Sequence, residues 1–332
     1  MKNNRRIVIS VLLVLSMLVG MMSMSVFAAE GDGAYVAYQQ VLLGDDLTMR
    51  FYIVVEEGYE DSVLTVTVGE AQKEYKISEM TADENGYYVV SVDMAAAQMT
   101  DEITLYMTGH AGELINKSYS VRAYALALIG GDFSDETKAL AKELLNYGGM
   151  AQTYFKYNTK VLANEGITVT PATVPTEQMQ VAVSGGVEGI GLYGASLMFH
   201  GKVAVRYYFT APNGVEDYTF RVGEDTFEAE KKSEGLYYVE VPGISPNSYD
   251  KGIEMTVSNE SGSLSVTYSP MHYIVRMYNA ESSSPALKAL LQAMYGYHAA
   301  AVAYVTEDSE VPEVIEPVDI VLVTVPTDDW NK

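Results

Sequence analysis

Residues 138–158 read KALAKELLNYGGMAQTYFKYN, and residues 288–304 read KALLQAMYGYHAAAVAY. Lys138-Ala139-Leu140 returns as Lys288-Ala289-Leu290, and without a gap Tyr147, Ala151 and Tyr154 return as Tyr297, Ala301 and Tyr304. Both stretches carry a helical period. Leu140, Leu144, Tyr147, Ala151 and Tyr154 share one face, as do Leu287, Leu290, Leu291, Met294, His298, Ala301 and Tyr304. Ser134 followed by Asp135 and Glu136, and Ser284 followed by Pro285, mark the two openings, because serine accepts from orphan N–H groups and proline at the first position loses no bond. Gly148-Gly149 weakens the middle of the first helix by about 1 kcal/mol per glycine.

Working outward, the same order of blocks recurs. Tyr119-Ser120 and Tyr124 match Tyr268-Ser269 and Tyr273, and Gly86, Tyr88, Val90 and Val92 match Gly235, Tyr237, Val239 and Val241. Val68-Gly69-Glu70 matches Val222-Gly223-Glu224, and Arg50 with Tyr52 matches Arg206 with Tyr208. Upstream of the helices the apolar period is two. Leu47, Met49, Phe51 and Ile53 alternate with polar or smaller residues, as do Val203, Val205, Tyr207 and Phe209. Asp83-Glu84-Asn85-Gly86 and Asn259-Glu260-Ser261-Gly262 are turn signals between such runs. The reading is an α+β, mainly β chain of two tandem homologous domains, each an antiparallel immunoglobulin-like β-sandwich followed by a helical hairpin. The boundaries are 31–160 and 181–306, joined by an extended linker over 161–180 that holds Pro171 and Pro175. Gly185 to Gly189 reads as a flexible entry to the second domain.

The blocks at 119–125 (YSVRAYA) and 144–158 (LLNYGGMAQTYFKYN) resemble a β-rich module that ends in a "Leu-Asn-Tyr-Gly-x-x-Ala-Gln-x-Tyr-Phe" helix. Modules of this kind occur in secreted and surface proteins of Gram-positive anaerobes, beside leucine-rich repeats, immunoglobulin-like domains or carbohydrate-active domains. The resemblance implies an extracellular accessory role and brings no catalytic residues with it. The second repeat departs from the pattern at Tyr295-Gly296-Tyr297-His298-Ala299.

The ends and the charge bound the address. Lys2, Arg5 and Arg6 precede an apolar run from Ile7 to Val26, and Val26-Phe27-Ala28 supplies small residues for cleavage, so 1–28 reads as a signal peptide. The expected address is secreted, or associated non-covalently with a cell surface. The chain has no cysteine, which excludes disulfides, thiolate metal sites and cysteine nucleophiles. Its formal net charge of −23 excludes a phosphate-backbone partner such as nucleic acid. Residues 307–332 form an acidic, proline-containing tail in which 320–325 (IVLVTV) has strand propensity and suits an exposed sheet edge.

The chemistry-bearing residues are few. His110, His200, His272 and His298 show no metal-ligand spacing, and His298 on an apolar helix stripe reads as a buried, hydrogen-bonded histidine. No nucleophile elbow, phosphate loop or dinucleotide fingerprint occurs, and the acidic stretch Asp132 to Glu136 reads as helix capping rather than a calcium loop. The adjacent acids Asp45-Asp46 and Glu56-Glu57 fall at strand ends, where carboxylates are solvated, though a glycan hydrolase built on an acid pair stays open. No cofactor or metal is expected. The 26 tyrosines favour binding over chemistry, since flat amphipathic rings stack on sugars and form protein interfaces. The candidate ligand-contacting residues are Arg50, Tyr52, Arg206 and Tyr208, one Arg-x-Tyr pair per domain, with burial under the helical hairpin as the competing expectation. The function expected is a secreted, non-enzymatic binding or adhesion module for a polysaccharide or a host or cell-surface protein. The alternative is an assembly subunit that uses its C-terminal strand segment.

Overall fold

The computed structural model describes residues 13–15, 33–44, 47–110, 112–199, 201–307 and 321–324. Among the described residues the chain is mainly β, with antiparallel sheets and four α-helices. The first half begins with β1 (Leu13–Leu15), β2 (Ala34–Leu43), β3 (Leu47–Val55), β4 (Val63–Val68) and β5 (Ala71–Lys76). It continues through β6 (Tyr88–Met94), β7 (Ile103–Gly109), β8 (Gly112–Tyr119), α1 (Val121–Gly130) and α2 (Asp135–Phe155). The second half opens with β9 (Ala182–Gly186), β10 (Gly191–Met198), β11 (Ala204–Thr210), β12 (Thr219–Val222) and β13 (Asp225–Phe227). Then come β14 (Glu230–Ser233), β15 (Leu236–Pro242), β16 (Ile253–Asn259), β17 (Gly262–Tyr268), α3 (Pro270–Asn279), α4 (Pro285–Glu307) and a last strand, β18 (Val321–Thr324).

Two pairs of sheets result. One pair has the orders β1-β2-β3-β6-β18 and β5-β4-β7-β8, the other β10-β11-β15-β14 and β13-β12-β16-β17-β9. The two-residue period explains the layers. Met49, Phe51, Ile53, Val90 and Val92 from one sheet, and Leu64, Val66, Ile103, Leu105 and Met107 from the other, are all fully buried. In the second pair Phe209 meets Phe220 at 5.5 Å between ring centroids, and the Tyr207 hydroxyl donates to the Ile253 carbonyl at 2.7 Å. Strand β2 slips register between Val36 and Tyr38 opposite Tyr52, and β10 slips between Leu192 and Gly194 opposite Tyr208. Outside β1, the stretch read as a signal peptide lies outside the described residues.

Serines 134 and 284 cap their helices as the sequence predicts, and Ser120 caps α1 in the same way. The Ser120 hydroxyl accepts from Ala123 N–H at 3.0 Å, Ser134 from Thr137 at 3.2 Å, and Ser284 from Leu287 at 3.2 Å. Helices α2 and α4 pack on each other, with Tyr147 and Tyr297 stacked at 5.6 Å and 19° between planes. Gly296 lets them approach closely, because a Cβ there would stand 2.8 Å from a carboxylate oxygen of Glu143. Phe199, after β10, adds a second bridge by packing between Tyr154 and Tyr273. A cavity of about 40 Å³ remains between the halves, lined in part by Tyr147, Tyr249, Tyr297, Val203 and Leu144. It suits a water and is far too small for a sugar ring.

Two stretches differ from the sequence reading. Residues 161–180 are not a free extended linker: they are tied to both halves. Buried Gln152 receives Ala163 N–H at 2.7 Å and donates to the Val161 carbonyl at 3.0 Å, while Arg122 donates to the carbonyls of Ala163 and Glu165. On the other side Gln292 donates to Ala172 and Asn279 to Pro175, both at 2.8 Å. His272 accepts the Ser269 N–H on Nδ1, which fixes the ring hydrogen on Nε2, where it is given to the Gln180 carbonyl at 3.1 Å. Gly185 to Gly189 is likewise no flexible entry, since Gly185 and Gly186 belong to β9, which pairs with β17. Gly185, at φ 72°, approaches the Ser263 carbonyl so closely that a Cβ would lie 2.3 Å from its oxygen.

The glycine pair inside α2 has the same kind of cause. A Cβ at Gly148 would stand 2.5 Å from the Met99 sulfur, 3.1 Å from the Ala163 Cβ and 3.2 Å from the Ala96 carbonyl oxygen. Its counterpart in α4 is His298, whose Nδ1–H instead fills that space and donates to the Pro246 carbonyl at 2.7 Å. Gly148→Ala is therefore expected to destabilise by about 1–3 kcal/mol through overpacking, although glycine to alanine inside a helix ordinarily gains about 0.5–1 kcal/mol. Gly130→Ala, where a Cβ meets nothing, serves as the control, and urea unfolding reads both. A stabilised Gly148→Ala chain would refute the close-approach account.

Glu143 supplies a pH test of the same contact. Burial against α4 pushes its carboxyl above the usual 4.5, with the Asn146 amide opposing. A native state that holds a proton more tightly is stabilised below the unfolded pKa, and that contribution is lost as pH rises through the raised one. Glu143→Gln should raise the melting temperature at pH 7 and leave it unchanged near pH 4. An equal shift at both pH values would separate the effect from ionisation.

Candidate ligand-binding face

Strand alternation on β11 sends Val205, Tyr207 and Phe209 into the core and leaves Arg206 and Tyr208 on the opposite face. Register then builds the surroundings. Glu240 of β15 lies across from Arg206, Tyr238 across from Tyr208, and Glu230 of β14 across from Tyr238. Arg206 Nε donates to a Glu240 carboxylate oxygen at 2.5 Å and its guanidinium lies 4.4 Å above the Tyr238 ring. Lys232 covers Tyr208 at 4.9 Å, and the two tyrosine rings stand 6.1 Å apart. The Tyr238 hydroxyl donates to Glu230, and that carboxylate pushes the phenol above its usual value, so the ring stays neutral. Tyr193, at the register slip of β10 beside Tyr208, is 69% exposed. The β-bulge turns it outward.

The corresponding face of the first half is closed. Arg50 and Tyr52 are only 7% and 9% exposed. Arg50 Nε donates to the Ser91 hydroxyl at 3.3 Å, and Tyr52 donates to the Gln40 side-chain carbonyl at 3.2 Å. Tyr38 stacks on Tyr52 at 4.1 Å with Tyr87 edge-on to it, and burial, then its tyrosine neighbours, raise the Tyr38 phenol well above its ordinary value. Ser91 and Val89 stand opposite Arg50 and Tyr52, where the second half has Glu240 and Tyr238. The two halves thus differ from the expectation of equivalent faces: Arg206 and Tyr208 are half-buried and partly exposed, whereas Arg50 and Tyr52 are closed off. In neither half does the competing expectation of a helical cover describe the face, because α2 and α4 pack on one another and on the turns at 96–98 and 246–248.

Sequence reasoning missed Tyr238, Glu240, Glu230, Lys232 and Tyr193. The Tyr237-Tyr238 pair beside Lys231-Lys232 was the available signal, but only strand register shows which tyrosine faces out. No group of three or more metal-binding side chains occurs among the described residues. Glu56 and Glu57 lie in a turn after β3, while Asp45, Asp46 and His200 lie outside the described residues. His298 is buried and stacks on Tyr249, and His110 is exposed beside Asp61. Among the described residues no helix is long and apolar enough to cross a membrane. No known protein family and no curated protein matches the chain.

Tyr52→Ala should cost about 3–5 kcal/mol, the range for emptying a buried aromatic site, whereas Tyr208→Ala should stay within about 1 kcal/mol of the parent. Chemical unfolding of the two variants decides the assignment, and comparable losses at both sites would erase the distinction.

Proposed function

We propose that this chain is a secreted, non-enzymatic binding module whose second half engages a polysaccharide through Tyr193, Tyr208 and Tyr238, with Arg206, Glu240, Lys232 and Glu230 supplying hydrogen bonds. In this reading the chain is one immunoglobulin-like sandwich with a helical hairpin, written twice. The register slip beside Tyr52 and beside Tyr208 supports the duplication. The N-terminal charge and apolar pattern support export, and the likeness to surface modules of Gram-positive anaerobes supports an extracellular accessory role.

The observation that carries the reading is one exposed tyrosine, Tyr193, beside two half-buried ones, Tyr208 and Tyr238, among charged donors and acceptors on a sheet face. Sugar C–H faces stack on such rings while hydroxyls take the polar rim. A protein partner is the second choice, because the exposed large apolar residues on this face amount to one tyrosine, Tyr193, rather than a contiguous apolar patch. The net charge of −23 favours neutral or cationic glycans over acidic ones.

A glycan screen should give saturable binding to neutral or amino-sugar polymers. Losing one stacking ring costs about 1–3 kcal/mol by analogy with base stacking, so Tyr208→Ala and Tyr238→Ala should each weaken binding roughly ten- to a hundredfold. Tyr52→Phe should bind like the parent. Glycan binding that survives Tyr193→Ala, Tyr208→Ala and Tyr238→Ala together would refute the face, and binding to protein ligands alone would refute the substrate class.

A further inference from the structure

The two sheets that carry the Arg-x-Tyr pairs differ at one edge. In the second half β15 is followed outward by β14, contributed by the residues immediately before it. In the first half the equivalent strand, β6, has no such neighbour among the residues before it: Asp83 to Gly86 form a turn closed by Asp83, whose carboxylate accepts from the N–H groups of Asn85 and Tyr87 at 2.9 Å. The edge is instead filled by β18 from the far end of the chain, in parallel, with Val321 opposite Val90, Leu322 opposite Ser91, Val323 opposite Val92 and Thr324 opposite Asp93. The sequence supplies a strand of the right composition for this, 320–325, at the end of a tail that follows α4.

We propose that β18 is an exchangeable donor strand, and that the β6 edge of one copy accepts the tail of a second copy of this chain. Four observations carry this. The β6 edge lacks the local strand that its counterpart possesses, so it is an open acceptor whenever the tail leaves. The donor makes only four register pairs and makes them in parallel, the weaker ladder type, so its release is inexpensive compared with opening the sandwich. The thirteen residues 308–320 that tether it include Asp308, Glu310, Glu313, Glu316 and Asp319, with Pro312 and Pro317 and no basic residue. A segment of thirteen residues can span at most about 3.3–3.6 Å per residue, and like charges along it oppose compaction, which gives the donor the reach to leave its own chain. Finally, a copy that gives its tail keeps a vacant edge for another, so two copies can close as a reciprocal pair and further copies can add head to tail. At low concentration the tether keeps the strand at home, since its effective concentration is on the order of millimolar. Raising the concentration of the chain toward that value tips the balance outward.

The absence of native cysteine makes the test direct. Ser91→Cys and Leu322→Cys fall on directly opposed register positions. The double variant, oxidised when dilute, should give a crosslinked monomer. A mixture of the two single variants, held at up to about 1 mM to compete with the tether and then oxidised, should give a covalent heterodimer on non-reducing gels. Adding Val323→Pro to the Leu322→Cys chain removes a ladder donor and should lower the heterodimer at least tenfold, while circular dichroism reports an intact fold. A crosslinked monomer without any heterodimer would make the strand a permanent part of its own sheet and overturn the proposal. Failure of both crosslinks would overturn the β6–β18 pairing itself. Heterodimer that persists with Val323→Pro would assign the contact to random collision and overturn it as well.

Discussion

The arrangement of the molecule depends on how closely α2 and α4 can approach. Two helices, one closing each half, stack Tyr147 on Tyr297, and each also seats on its own half through the turns at 96–98 and 246–248. Three small side chains make that possible. Gly296 yields to Glu143, Gly148 to Ala96 and Met99, and Gly149 to Asn164 of the connecting segment. Helix propensity argues against glycine at every one of these positions. Close packing outweighs it, because a core without voids rewards many weak contacts at once.

The connecting segment follows from the same constraint. Once α2 exposes the backbone of Gly148-Gly149 on one side, residues 159–166 can fold beneath it, and Gln152 satisfies their polar groups from inside the helix. The segment then crosses to α3 and α4, where Asn279, Gln292 and His272 donate to its carbonyls. The connection thus holds the two halves as firmly as the helix pair does.

That fixed frame gives the two Arg-x-Tyr pairs different fates. Both begin as outward positions on a central strand. Val89 and Ser91 beside the first pair are small, so Tyr38 closes down on Tyr52 and Arg50 is left with a hydroxyl. Tyr238 and Glu240 beside the second are large and polar, and they leave Arg206 and Tyr208 partly exposed in a charged aromatic surface. One face stays polar and partly open while its twin is closed into the structure.

Local pattern was enough to determine a great deal here. The two-residue period named the buried faces of β3 and β11, serines 134 and 284 marked helix openings, and the blocks in common marked two similar stretches, since each of these depends only on neighbours in the chain. The openness of a face was decided elsewhere. Arg50 and Arg206 read alike in sequence, and what separates them is the residue opposite on a strand more than thirty positions away, Ser91 against Glu240. The same holds for Gly148-Gly149, which reads as a weak point until Ala163 is seen against it, and for the tail strand, whose apolar run says that it will pair but not with which edge. Periodicity is a property of the local chain, whereas close approach, register and edge occupancy are properties of segments that meet only after folding.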